Sequence, residues 1–381
     1  MKKIYWRPSS VPRVILVVIA IIGISGMSSV ELFKAKIRQP YYGEKIRAAR
    51  AMNSGMEFIR KYRLRNVGPI DPETDPADSG MIGLATSPIT STTGYLKVKQ
   101  TTINPNWAAV LVDMLKRAGV KEGDAIASTF SGSFPAISLA VLTAAETLRL
   151  KVIAISSVAA SNWGANIPDL TWLDLERILH EQGIISHRSV AASLGGEEDK
   201  ALGMKEHSRE MLRSAIERNG VRLIEIDNLK ENIVKKMSIY KEFSEGKRIS
   251  AYVNVGGGTI AVGSVKGKKL YQPGLNKRPS PEALRVDSVM TRFAREGVPV
   301  IHMIYIDRLA EKYGLPKSPQ MMPHIGEGDI FTRLTYNLYL ASFVLVVLIF
   351  ILYVFLRRDI GFRIFGSHRI THAPKHPEPM V

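Results

Sequence analysis

Two uncharged apolar runs, one near each end of the chain, constrain this fold more than any other feature. Residues 14–30 read VILVVIAIIGISGMSSV and residues 338–356 read LYLASFVLVVLIFILYVFL. The first is at the short end of what crosses a bilayer, and the second has ordinary spanning length. Neither carries a polar stripe at helical spacing, which argues against a helix half-buried on a globular core. Tyr336, Tyr339 and Tyr353 sit near the ends of the second run, where interfacial aromatics belong. The first run is either an uncleaved anchor or a signal peptide. Small residues at 23–28 would suit a peptidase, but the A-x-A pattern is missing, which favours the anchor.

Two spans put both termini on one side. Lys2, Lys3, Arg7 and Arg13 precede the first run, and Arg357, Arg358, Arg363, Arg369 and Lys375 follow the second. The positive-inside rule then makes residues 1–13 and the basic tail 357–381 cytoplasmic. Lys34, Lys36, Arg38, Lys45, Arg47 and Arg50 follow the first run and oppose this orientation. They belong to a long loop, residues 31–337, and long loops weigh little in the rule. The expectation is a two-pass protein of the cell membrane with one large extracytoplasmic domain.

Charge sharpens that expectation. The chain has 52 Lys+Arg against 35 Asp+Glu, a formal net charge of +17, and residues 31–337 hold +10 of it. A basic excess of this size seeks a polyanion or an anionic lipid surface. Outside the cytoplasm nucleic acid is not the expected partner. The chain has no cysteine, which removes disulfide frameworks, thiol catalysis and cysteine-ligated metals.

The middle segment begins with an expected helix over 31–65 and a loop rich in Pro, Gly, Ser and Thr over 69–93. From residue 106 helices and strands alternate. Helices are expected at 106–118, 135–148, 170–182, 197–219 (one or two) and 229–243, and strands at 124–129, 151–158, 221–226, 250–255, 259–265 and 298–304. Apolar strands alternating with helices predict an α/β fold, with a largely parallel sheet covered by helices on both faces.

In such sheets ligands bind beyond the carboxyl ends of the strands. Three loops fit. The first, STFSGSFP, carries Ser131 and Ser133. Ser133 reads as a helix N-cap with Pro135 in the first turn, or as part of an anion pocket. The second carries Ser156, Ser157, Asn162, Trp163 and Asn166, a set suited to an amide-bearing or sugar-like ligand or simply to a capped turn. The third, Gly256, Gly257, Gly258 and Thr259, reads as a hairpin or as a nest of amides for an anion. This triplet resembles the phosphate hairpin of actin-type ATPases. The comparable flanking positions here are Asn254 and Ala261 rather than acids, which disfavours magnesium ligation.

Nucleophilic catalysis would fall to Ser131 or Ser133, with Asn162 or glycine amides as oxyanion donors. The G-x-S-x-G elbow is absent, and His180, His187, His207, His302 and His324 are scattered. Glu176 and His180 share a helix face without an H-E-x-x-H motif, and the tail's His368, His372 and His376 are interspersed with prolines. No metal or cofactor is expected. The patch Lys266, Lys268, Lys269, Lys277 and Arg278 reads as a solvated edge that would add affinity for an anionic polymer.

Several strings together resemble the membrane family called poly-gamma-glutamate system protein. They are GLATSPIT at 83–90, NPN at 104–106, GSFP at 132–135, ISS at 155–157, ASNWGAN at 160–166, TWL at 171–173 and the glycine triplet. The resemblance implies an accessory role in making, exporting or anchoring this capsule-type polymer. It also implies the synthase's ligase and membrane subunits as partners. It carries no catalytic residues. A serine-dependent hydrolase or transferase acting on the polymer is the alternative, and a ligand-sensing scaffold a third.

Overall fold

The computed structural model describes residues 13–358. The expected cytoplasmic N-terminus up to residue 12, and the tail from 359 with its three histidines, lie outside the described residues. The chain forms two compact units, one made of its two ends and one of residues 38–332.

In the terminal unit both apolar runs are helical, over Arg13–Leu32 and Leu338–Arg358. They pack on each other closely, since a Cβ at Gly26 would lie 2.5 Å from Val344 Cγ1. Their other faces are apolar and open: Met27 is 73% exposed and Phe343 65%. Among the described residues no helix is long and apolar enough to cross a membrane. Side chains are described from Leu16 of the first helix and up to Val354 of the last. The expected helix over 31–65 is divided. The first helix ends at Leu32, the strand Ala35–Arg38 follows, and a new helix runs Tyr42–Asn66.

The second unit is an α/β domain. Its main sheet has seven strands: β1 Ala125–Ser131, β2 Lys151–Ser157, β3 Ser189–Ser193, β4 Arg222–Ile224, β5 Ile249–Val255, β6 Gly274–Asn276 and β7 Val300–Met303. Their order is β6-β7-β5-β1-β2-β3-β4. All neighbours are parallel except β6, which runs antiparallel to β7.

Alternation along each strand feeds two cores. On β2, Val152 and Ala154 enter one apolar cluster, Ile153 and Ile155 the other. The first cluster packs under the helices Tyr42–Asn66, Trp107–Ala118, Pro135–Leu148 and Trp172–Glu181; the second packs under Leu229–Phe243 and Val289–Arg295. Strands buried on both faces read as unbroken apolar runs, which is why the parallel sheet was legible.

The sequence expectations need four corrections. Residues 259–265 are not a strand: Thr259–Val262 is a single helical turn, so the glycine triplet joins β5 to a helix and no phosphate hairpin exists. Ser133 does not cap the helix Pro135–Leu148; Phe134 holds that position. The helix expected over 197–219 begins only at Glu206. The strand β3 lies in a stretch for which no strand was expected.

Candidate functional site

The strand order creates a crevice. From β1 the chain moves to β2, β3 and β4 on one side, then returns to β1's other flank as β5. Loops leaving β1 and β5 therefore diverge, and open α/β sheets bind ligands at such a switch point. A cavity of about 530 Å³ lies there. Its lining includes Ser131 at the end of β1, Ser157 at the end of β2, and Gly257, Gly258 and Thr259 after β5.

Of the eleven residues expected to bind a ligand, six line this cavity: Ser131, Ser133, Ser157, Gly257, Gly258 and Thr259. Gly256 stands just behind them with φ +96°, and a Cβ there would lie 3.1 Å from Ser131 Cβ. The switch-point crevice thus relies on glycine where the end of β5 passes Ser131.

The other four serve the architecture. Ser156 is buried and its hydroxyl pairs with Ser189 Oγ at 2.6 Å. Asn166 holds the loop before residue 90. Its Oδ1 accepts from Leu84 N–H at 2.8 Å, and its Nδ2 donates to Leu84 O at 2.8 Å and Thr90 Oγ1 at 2.9 Å. Asn162 accepts from Gly94 N–H at 2.8 Å and donates to Ala85 O. Trp163 takes a left-handed φ of 57° and packs against the apolar core. The proposed oxyanion role of Asn162 has no geometric basis, since its amide is spent on backbone.

Among the described residues neither expected nucleophile has its hydroxyl hydrogen-bonded to a base. Ser131 Oγ accepts from Ser133 N–H at 3.2 Å, and Ser133 Oγ accepts from Ser161 N–H at 3.0 Å. Glu176 is consumed by Ser189, whose N–H and hydroxyl donate to it at 2.8 and 3.1 Å. Among the described residues no group of three acidic or histidine side chains is placed to hold a metal ion.

Sequence reading missed Lys99 and the acidic members of the cavity, and placed Lys268 only on a solvated basic edge. Lys99 is 3% exposed, on the short helix Leu96–Thr102. Its Nζ donates to Ser133 O, lies 2.8 Å from Ser161 Oγ, and sits 4.1 Å from the centre of the Phe134 ring. Burial alone pulls its pKa down, to about 7. Lys268 stands against Gly257. Among the described residues neither lysine has a carboxylate within ion-pair distance. Asp199 also lines the cavity, but Lys236 Nζ neutralises it at 2.6 Å, and Ser157 and Ser193 donate to it at 3.1 and 2.8 Å. Glu197 is exposed at the rim. Deeper in the sheet His302 is buried, and its pKa falls to about 4 through burial and the nearby Lys268 ammonium, so it is neutral at pH 7.

Lys99 meets Ser161 through a minor sheet. Residues Thr90–Thr92 run parallel to Ala160–Ser161, which carries the following helix across the second loop. Gly94 makes the approach: a Cβ there would stand 2.7 Å from Asn162 O and 3.1 Å from Ser161 Oγ. The signal available in the sequence was Ser161 within the ASNWGAN string. Nothing local marked Lys99.

No protein-family model, curated protein or solved structure matches this chain.

Proposed function

We propose that this protein is a membrane-tethered accessory component of poly-gamma-glutamate biosynthesis, export or anchoring, whose α/β domain takes the polymer at the switch-point cavity. The observation that carries this reading is a hydroxyl-rich cavity in which Lys268 has no acidic partner among the described residues. An uncompensated ammonium beside serine and threonine hydroxyls suits a ligand that brings its own carboxylates. Poly-gamma-glutamate offers one per residue. Lys268, beside the exposed Gly257 and Gly258, is the anchor for such a carboxylate.

Two further facts support the reading. The long middle segment carries +10 of the net charge, which raises the local concentration of any polyanion. The two terminal helices present large apolar side chains outward, a surface that lipid would cover. The tether consists of the apolar runs 14–30 and 338–356, with the α/β domain outside the cytoplasm and the synthase's ligase and membrane subunits as neighbours.

The test is polymer binding by the full chain in detergent micelles, followed by anisotropy of fluorescently labelled poly-gamma-glutamate. Binding should be clear at low salt, weaken about tenfold or more by ~0.3 M salt, and fall several-fold in Lys268→Met. Absence of binding at low salt would overturn the reading.

A further inference from the structure

Lys99 is an unusual lysine to bury. An ammonium group has three hydrogens to place, and burial without a counter-ion is costly. Here it meets one carbonyl, Ser133 O, one hydroxyl, Ser161 Oγ, and the face of Phe134. Protonated, Nζ donates to both Ser133 O and Ser161 Oγ; once neutral, it keeps an N–H on Ser133 O and turns its lone pair to the Ser161 hydroxyl proton. Both residues line the cavity. Ser133 Oγ accepts the Ser161 N–H at 3.0 Å, which leaves its own proton free to donate into the cavity.

We infer that Ser161 and Lys99 form a serine–lysine dyad, 2.8 Å apart in the cavity wall, that performs acyl transfer on an amide or ester of a carboxylate-rich substrate. The substrate class rests on the polymer reading above, whereas the dyad's chemistry does not. In the forward step Ser161 Oγ attacks the carbonyl carbon while its proton passes to neutral Lys99 Nζ. The C–N bond of the tetrahedral adduct, or C–O for an ester, then breaks, and Lys99 returns that proton to the departing amine or alcohol. This leaves an ester on Ser161. Water, or a hydroxyl or amine of an acceptor, attacks the ester, its proton moves to Lys99, and Ser161 regains it as the acyl group leaves. Ser133 Oγ–H faces the developing oxyanion. A lysine whose pKa lies near 7 is half neutral at that pH and serves as a base without an acidic third partner.

The dyad differs from the serines that the sequence favoured. Among the described residues Ser131 Oγ is hydrogen-bonded to no side-chain nitrogen, and Ser133 serves as a hydrogen-bonding support. Lys268 holds a substrate carboxylate, and Lys99 does the proton transfer.

The test uses the full chain in micelles and a fluorophosphonate probe, with the modified serine located by peptide mass spectrometry. Displacement of fluoride by Ser161 Oγ gives a stable phosphonyl ester. The expected result is modification at Ser161, with a rate that rises as pH passes through about 7 and then levels. Lys99→Met and Lys99→Arg should each slow it about a hundredfold or more, since neither supplies a base. Thermal melts establish that the variants are folded. No modification of Ser161 in the unaltered protein, or an undiminished rate in folded Lys99→Met, would overturn the dyad. Polymer binding measured on the same preparation separates the two readings. Binding without Ser161 modification removes the dyad alone, and modification without binding removes the polymer as substrate while leaving the dyad.

Discussion

Lys236 Nζ lies 2.6 Å from a carboxylate oxygen of Asp199, with both side chains almost wholly buried beneath the cavity. Lys236 also donates to Ser193 Oγ at 3.0 Å, so the pair ties the helix Leu229–Phe243 to the end of β3. Asp199 itself takes a left-handed φ of 65°, in a turn whose neighbours Gly195 and Gly196 share that conformation.

Removing one partner of such a pair leaves a buried charge exposed to a low dielectric. Lys236→Met should therefore cost about 3–5 kcal/mol by chemical denaturation. The double variant Lys236→Met, Asp199→Asn should recover much of that loss. Equal destabilisation by the single and double variants would show that the ion pair is not what holds this turn.

Lys99 has the opposite expectation. Its pKa in the folded protein is about 7, below the ordinary lysine value of 10.5. Between those values the unfolded chain binds more protons, so stability contributed at this site rises with pH. Lys99→Met removes the penalty of burying the charge. The variant should be more stable than the parent, most clearly at and below pH 7, with the gain shrinking towards pH 10. Melting temperatures of both proteins across that range provide the check.

Glu176 mirrors it with an acid. Full burial pushes its pKa up to about 7 against bonds from Ser189 that pull it down. A carboxyl with a raised folded pKa adds stability that is complete below the unfolded value and fades as pH rises through the folded one. Glu176→Gln should thus gain stability relative to the parent between pH 4.5 and 7 and hold that gain above it. A pH-independent difference would contradict this assignment.

Asn166 clamps the loop that leads to Lys99. Asn166→Ala removes the acceptor of the Leu84 N–H and two donated bonds, to Leu84 O and Thr90 Oγ1. The expected cost is about 2–3 kcal/mol. Hydrogen exchange should also quicken at Leu84 and around Gly94. Unchanged exchange there would mean that the loop is held by other contacts.

Much of this fold was legible in local signals. The helix Pro135–Leu148 was read at its true bounds because Pro135 starts an Ala/Leu-rich run; it ends where the chain turns left-handed at Arg149. The helix Trp107–Ala118 stops at Gly119, with φ 96°, as its sequence indicates. The strand β3 was missed because Ser189–Ser193 reads SVAAS, and Ala and Ser carry little strand preference. Pairing with β2 and β4 makes it a strand. Thr259–Val262 looked extended for the converse reason: TIAV is β-branched and too short to show a helical period. At the site, the hydroxyls and glycines announced themselves as strand-end loops. Lys99 did not, because LKVKQTT reads as an ordinary surface helix. Its burial depends on the ladder between Thr90–Thr92 and Ala160–Ser161, a relation no local pattern encodes.

Occupancy of the switch-point cavity by a carboxylate polymer is tested by photocrosslinking a gamma-glutamate oligomer bearing a diazirine to the full chain in micelles, with the modified peptides mapped by mass spectrometry. Adducts are expected on Tyr95, Ser131 to Phe134 and Gly257 to Lys268, competed away by unlabelled polymer. Adducts confined to other surfaces, or none that the polymer displaces, would rule the occupancy out.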